Sequence, residues 1–130
     1  MLGRSMAVPQ SAEIQTLEEI AALVTAALFL KRPITAVYHG HRRSMCPYVL
    51  GRNKDGAIHV LCYQYAGGSA SGLKQRGSPD NWRCVVLPKF RAVRLLDEPW
   101  FTVDNHSRPQ TCIAEVLFDA EKLSDLLAAR

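Results

Sequence analysis

The chain has 130 residues, 48% of them hydrophobic, with a formal net charge of +4; this is the size of one domain, with enough apolar content for an ordinary core without a metal or disulfide scaffold. The longest apolar run, residues 20–30, is too short to cross a bilayer and is flanked by Glu18, Glu19, Lys31 and Arg32, so no membrane partner is expected. The first ten residues carry no apolar signal segment, and Cys46, Cys62, Cys84 and Cys112 form no C-x-x-C pair, which predicts a cytoplasmic protein with reduced thiols and speaks against a zinc knuckle or a thioredoxin-like motif.

In chain order, residues 1–15 read as a flexible leader and 16–130 as a single domain. Thr16 and Glu19 form an S/T-x-x-E capping box ahead of an apolar stretch, predicting a helix over about 16–31. Ile20, Leu23, Val24, Ala27, Leu28 and Leu30 give it a broad apolar face, and Pro33 ends it. From Pro33 the period changes to two. "ITAVYHG" reads as a strand, His39 to His41 as a tight turn, and "RRSMCPYVLG" as a second strand in which Pro47 marks an edge or a bulge. Asp55-Gly56 closes a turn. "AIHVLCYQY" is a third strand, with Ile58, Val60, Cys62 and Gln64 alternating with His59, Leu61, Tyr63 and Tyr65. A Gly/Ser-rich loop follows, then "WRCVVL" and "FRAVRLLD" as fourth and fifth strands. The last segment is predicted as a helix over about 112–128, with Ile113, Val116, Leu117, Ala120, Leu123 and Leu127 in a stripe. Its first part, "CIAEVLFD", can instead be read as a strand. The expected fold is thus mostly β, five short antiparallel strands curling into a small barrel between an N-terminal and a C-terminal helix.

Charge is distributed unevenly along this order. Residues 31–94 hold twelve bases against Asp55 and Asp80, a net +10, while both flanks are acidic. That asymmetry fits an anionic partner for the middle segment; it also fits a solvated basic face balanced by acidic helices. Catalytic constellations are absent from the pattern. The serines at 69 and 71 lack a G-x-S-x-G context, no carboxylate pair is available for acid–base work, and a Cys112–His106 dyad would be set by geometry alone. His39, His41 and Cys46 have no recognised metal-ligand spacing, so no metal and no cofactor are expected. The loop around Gly67, Gly68 and Gly72 is not a Walker motif. Its backbone amides, with Ser69 and Ser71, can be read as an anion nest or as a soluble connection. Arginines and aromatics interleave on the strands, as on sheets that bind single-stranded nucleic acid or nucleotides, and equally as on amphipathic core edges.

Together "ITAVYHGHRRSMCPYVLGRNKDG", "VLCYQYAGGSASG" and "NWRCVVLPKFRAVRLLDEPW" resemble the small WYL-type domain, most closely its short stand-alone bacterial versions. The elements that carry the likeness are Tyr38, Arg43 to Pro47, Tyr63-Gln64, Gly67 to Gly72 and Trp82-Arg83, within about residues 33–103. The signature tripeptide falls on His59-Val60-Leu61, keeping only Leu61, and an L-D-[RK]-I run is replaced by Leu87-Pro88-Lys89-Phe90. The resemblance implies an Sm-like or SH3-like five-stranded barrel and a regulatory, ligand-sensing or nucleic-acid-binding role. It places ligand contacts at Arg43, Tyr63, Gln64, Ser69, Ser71, Arg83 and Lys89, with Arg43, Arg83 and Lys89 as phosphate-contacting cations. The expected function is therefore a non-enzymatic module that binds a nucleotide or single-stranded nucleic acid. The alternatives are a protein-interaction module, as a homo-oligomer or with a partner protein, and least of all a hydrolase-like enzyme.

Overall fold

The computed structural model describes residues 14–100, 112–120 and 122. The expected leader lies outside these residues except for Ile14 and Gln15. Gln15 is not slack: its side-chain amide donates to the carbonyl of Val93 (3.0 Å) and accepts from the Val93 N–H (2.9 Å), pairing with a strand edge as a backbone would.

Helix α1 spans Leu17–Leu30. Its start is the predicted capping box, in which the Glu19 N–H donates to Thr16 Oγ1 at 3.0 Å and the Thr16 N–H donates to Glu19 Oε1 at 2.8 Å. Lys31 closes it in the left-handed conformation, with φ 53° and its N–H on the Ala27 carbonyl, two residues before Pro33. Ile20, Val24, Ala27 and Leu28 are buried, whereas Leu30 is exposed. The exposed cap contributes through two otherwise orphaned donors, so Thr16→Ala is expected to lower stability by about 1 kcal/mol in a urea titration.

Five consecutive strands follow: β1 Ile34–Tyr38, β2 His41–Arg52, β3 Ile58–Gly67, β4 Trp82–Val86 and β5 Arg91–Leu95. All pair antiparallel, in the order β4-β3-β2-β1-β5. The turn between β2 and β3 is organised by Asn53, whose Oδ1 accepts from the N–H groups of Asp55 and Ala57 at 2.9 Å. β2 is long because it has two partners along one side: β1 along its first half, and a sixth strand, β6 Glu115–Asp119, along its second. Its pairing with β3 shifts register between Ser44 and Met45 and again between Pro47 and Val49, so Pro47 marks a bulge in an interior strand rather than an edge.

Two expectations change here. The sheet has six strands and is not closed, since β4 and β5 end it without pairing to each other among the described residues. Residues 115–119 are a strand, not the start of a helix. They bond to β2, with the Ala114 N–H on the Arg52 carbonyl (2.8 Å) and Gly51 facing Val116. A helical stripe and an edge strand share the residues Val116, Leu117 and Ala120, and pairing with the free side of β2 decides between them. Helical geometry begins at Ala120, and most of the remaining predicted helix lies outside the described residues.

β3 is paired along both edges, and packing covers both of its faces as well. On one face α1 packs with Ile34, Met45, Val60, Cys62, Val85, Leu87 and Phe90. On the other, Cys46, Tyr48, Val49, Leu61 and Tyr63 form a smaller cluster, covered by Tyr65, Trp82, Trp100 and Ile113. Cys46 and Cys62 are buried thiols, and burial pushes the Cys62 thiol pKa up. Cys84 and Cys112, expected as reduced thiols, are half-buried and bridged to each other, with Cα atoms 6.5 Å apart. A separation of 28 residues gave the pairing no local signature.

Candidate functional site

Three strands deliver the polar groups at one end of the α1-side core. On β3, Gln64 shares a face with Cys62; on β4, Arg83 shares a face with Val85; on β2, Arg43 shares a face with Met45. The register sets Met45 opposite Gln64 and Cys62 opposite Arg83, while Arg43 lies opposite Gly67. Gly67 permits this closeness: its φ is +98°, and a Cβ there would overlap the Arg42 carbonyl oxygen and lie 2.8 Å from the Arg43 Cα.

Gln64 is fully buried and sits between the two guanidinium groups. Its Oε1 accepts from Arg83 Nε at 3.0 Å and more weakly from Arg43 at 3.4 Å. Its Nε2 donates to the carbonyls of Ala66 (3.1 Å) and Gly68 (3.0 Å), fixing the start of the Gly/Ser loop. Arg43 is 5% exposed, lies over the Tyr38 ring at 5.2 Å and donates to the Tyr38 carbonyl at 3.1 Å. Its buried Nε has no hydrogen-bond partner among the described residues. Arg83 reaches further out, donating to the Asp80 carbonyl (2.7 Å), to Ser69 Oγ (3.3 Å) and to the Gly72 carbonyl (3.2 Å).

Every one of these acceptors is neutral. Among the described residues neither guanidinium has a carboxylate within 4.0 Å; the ion pairs join Arg32 to Asp97 and Arg52 to Glu115. Hydrogen bonds satisfy donors but leave the charge in place, so two positive charges face one amide oxygen. Burial, and then the neighbouring Arg83, lower the Arg43 pKa from its ordinary value. Burial also lowers that of Arg83, against the pull of Asp80 and Tyr63.

The remaining expected contacts are placed differently. Tyr63 points to the opposite face of β3, fully buried, with its hydroxyl donating to the Ser78 carbonyl at 2.8 Å. Lys89 is exposed in the 3-10 turn Leu87–Lys89, beyond the far end of β4 from Arg83. Ser71 is exposed, and its carbonyl accepts from Lys74 Nζ at 3.4 Å. The loop turns the carbonyls of Gly68 and Gly72 toward Gln64 and Arg83, so its oxygens, not an array of amide N–H groups, face the cations.

Sequence reasoning passed over Asn81, which holds the second half of this loop. Asn81 is buried; its Oδ1 accepts from the Lys74 N–H at 2.8 Å, and its Nδ2 donates to the carbonyls of Lys74 (3.0 Å) and Gln75 (3.1 Å). The available signal was an asparagine ending "SPDN" just before a strand, a turn pattern with nothing to name its partners. Arg76 then lies over the Tyr65 ring at 5.5 Å. Burial and the nearby Glu98 push the Tyr65 hydroxyl pKa up to about 12.

Among the described residues no three potential metal ligands gather, and no helix is long and apolar enough to cross a membrane. No protein-family model, no characterised protein and no solved structure matches the chain.

Proposed function

We propose that this chain is a binding module for an anionic ligand, a nucleotide or a single-stranded nucleic acid, and not a catalyst. One observation carries the reading: Arg43 and Arg83 share the neutral Gln64 oxygen, and among the described residues neither has a carboxylate within 4.0 Å. A phosphate oxygen is the kind of group that would supply the missing charge. Arg83 and Ser69 face the ligand, while buried Arg43 strengthens the field from behind. The net +10 of residues 31–94 favours the same sign of partner.

The WYL-like reading belongs with this proposal. The order β4-β3-β2-β1-β5 brings the first and fifth strands together, as an Sm-like or SH3-like barrel requires, and leaves the β4–β5 seam to be closed. A regulatory role in the cytoplasm is the setting this reading implies. The second reading, a protein-interaction module, draws on Phe29, Leu30, Val116 and Leu117, which are exposed on α1 and β6.

Fluorescence titration with a labelled oligonucleotide and a nucleotide panel tests the proposal. Binding should weaken steeply as salt rises. Gln64→Glu, which sets a carboxylate between the two guanidiniums, should lower affinity by about tenfold or more. A chain that ignores every anion at low salt overturns the proposal, and if its mass by light scattering also grows with concentration, the second reading takes its place.

A further inference from the structure

The start of α1 and the start of β5 border a cleft of about 500 Å³, a size that suits a small molecule. Gln15, Leu17 and Ile20 form one wall, and Pro88, Arg91 and Ala92 form the other. Ile14 extends the first wall; Ile14 and Leu17 are 95% and 51% exposed, two large apolar side chains open to water at the cleft. None of these residues belongs to the Gln64 site.

The β5 wall is set by strained backbone. Ala92 has φ 52°, in the left-handed region that a non-glycine residue seldom enters. It lies in a bulge, since Thr35 to Val37 on β1 faces Arg94 to Arg91 on β5, two steps against three. Strain of this kind persists only where the surroundings hold it, and it gathers at ligand sites. The α1 wall is tied down by Gln15, whose amide occupies both the N–H and the carbonyl of Val93. That pairing closes the β5 edge at this point, so the cleft suits a small molecule better than an added strand of peptide.

Charge narrows the class of molecule. Arg91 donates through Nη1 to the carbonyls of Pro88 (3.0 Å) and Phe90 (2.9 Å). Pro88 is part of the wall, so these bonds keep the guanidinium beside the cleft. Both Nη1 hydrogens are thereby used, whereas Nε and Nη2 donate to no described residue. Among the described residues no carboxylate lies within 4.0 Å of Arg91. The Nε–Nη2 edge is a fork that a carboxylate matches with two parallel hydrogen bonds. We propose that this cleft is a second binding site, for a small monocarboxylate with an apolar body. The carboxylate pairs with Arg91, and the hydrocarbon lies against Leu17, Ile20 and Pro88.

The test follows the backbone amide resonances of the isotope-labelled full chain during titration with octanoate, octanol or acetate. Octanoate should shift the amides of Gln15, Leu17, Ile20, Arg91 and Ala92 saturably. Octanol should act on the same residues with an affinity lower by about tenfold, having no charge for Arg91. Acetate, which lacks the apolar body, should leave them in place. Arg91 is exposed, so Arg91→Gln keeps the fold; it should lower octanoate affinity by about tenfold and leave that of octanol unchanged. No saturable shift with octanoate overturns the proposal. So do equal affinities for octanoate and octanol, shifts with acetate that match those with octanoate, or an equal loss of both ligands in Arg91→Gln. Shifts centred on Gln64 and Arg83 overturn it as well, since they assign the carboxylate to that site instead.

Discussion

Replacing Gln64 by leucine is expected to destabilise the protein by about 3–5 kcal/mol, read as a lower urea midpoint. Leucine fills nearly the same volume, so the loss is electrostatic rather than steric. Gln64 is fully buried and joins four groups through one amide. Without it Arg43 and Arg83 face one another with no acceptor between them, and the carbonyls of Ala66 and Gly68 lose their donor. Leaving charged partners unsatisfied in a buried place costs far more than an ordinary hydrogen bond contributes. Set against a total of about 5–15 kcal/mol for a domain, this single change brings the fold near its limit. Gln64→Glu should be milder, because it keeps an acceptor for both guanidiniums while its second oxygen meets the two carbonyls unfavourably. A leucine variant as stable as the parent would show that the two arginines do not depend on this amide.

The second large effect is expected at Asn81. Alanine there removes one acceptor and two donated bonds to the backbone of Lys74 and Gln75. The cost is about 2–4 kcal/mol, since the loop can recruit water for part of what it loses. A local readout separates this from general destabilisation. Lys74 and Arg76 lie in the segment that Asn81 holds, so trypsin should cut there much faster in Asn81→Ala, before the sheet unfolds. Unchanged cleavage would mean that the segment is held by other contacts, such as that of Arg76 with Tyr65.

These two residues also show where sequence reasoning reached and where it stopped. The helix was readable to within a residue because capping is local: Thr16 and Glu19 sit one turn apart and satisfy each other's backbone. Strands β1 to β5 were readable from alternation and from turn residues such as Asp55-Gly56. Burial of Gln64 between two arginines was not readable, since Arg43, Gln64 and Arg83 are 21 and 19 residues apart in the chain. Alternation placed Gln64 and Tyr63 on opposite faces but could not say that both faces are covered. Asn81 looked like a turn residue, and its partners lie six and seven residues back in a loop without periodicity.

What the sequence determined by itself is therefore what short-range physics controls: one helix and its cap, five strands with an irregularity at Pro47, and a basic middle between acidic flanks. The tertiary structure decided the rest through pairings that only folding brings together. It set β6 against β2 at Gly51, where a Cβ would overlap the Glu115 carbonyl oxygen and the Ile113 side chain, and so made a strand of a segment whose pattern also suits a helix. It left the sheet open between β4 and β5, joined Cys84 to Cys112, sent Tyr63 and Lys89 away from the arginines, and put one neutral amide between two charges. The reason is the same in each case: local backbone preferences are written in neighbouring residues, whereas burial, pairing and uncompensated charge depend on what the rest of the chain places alongside.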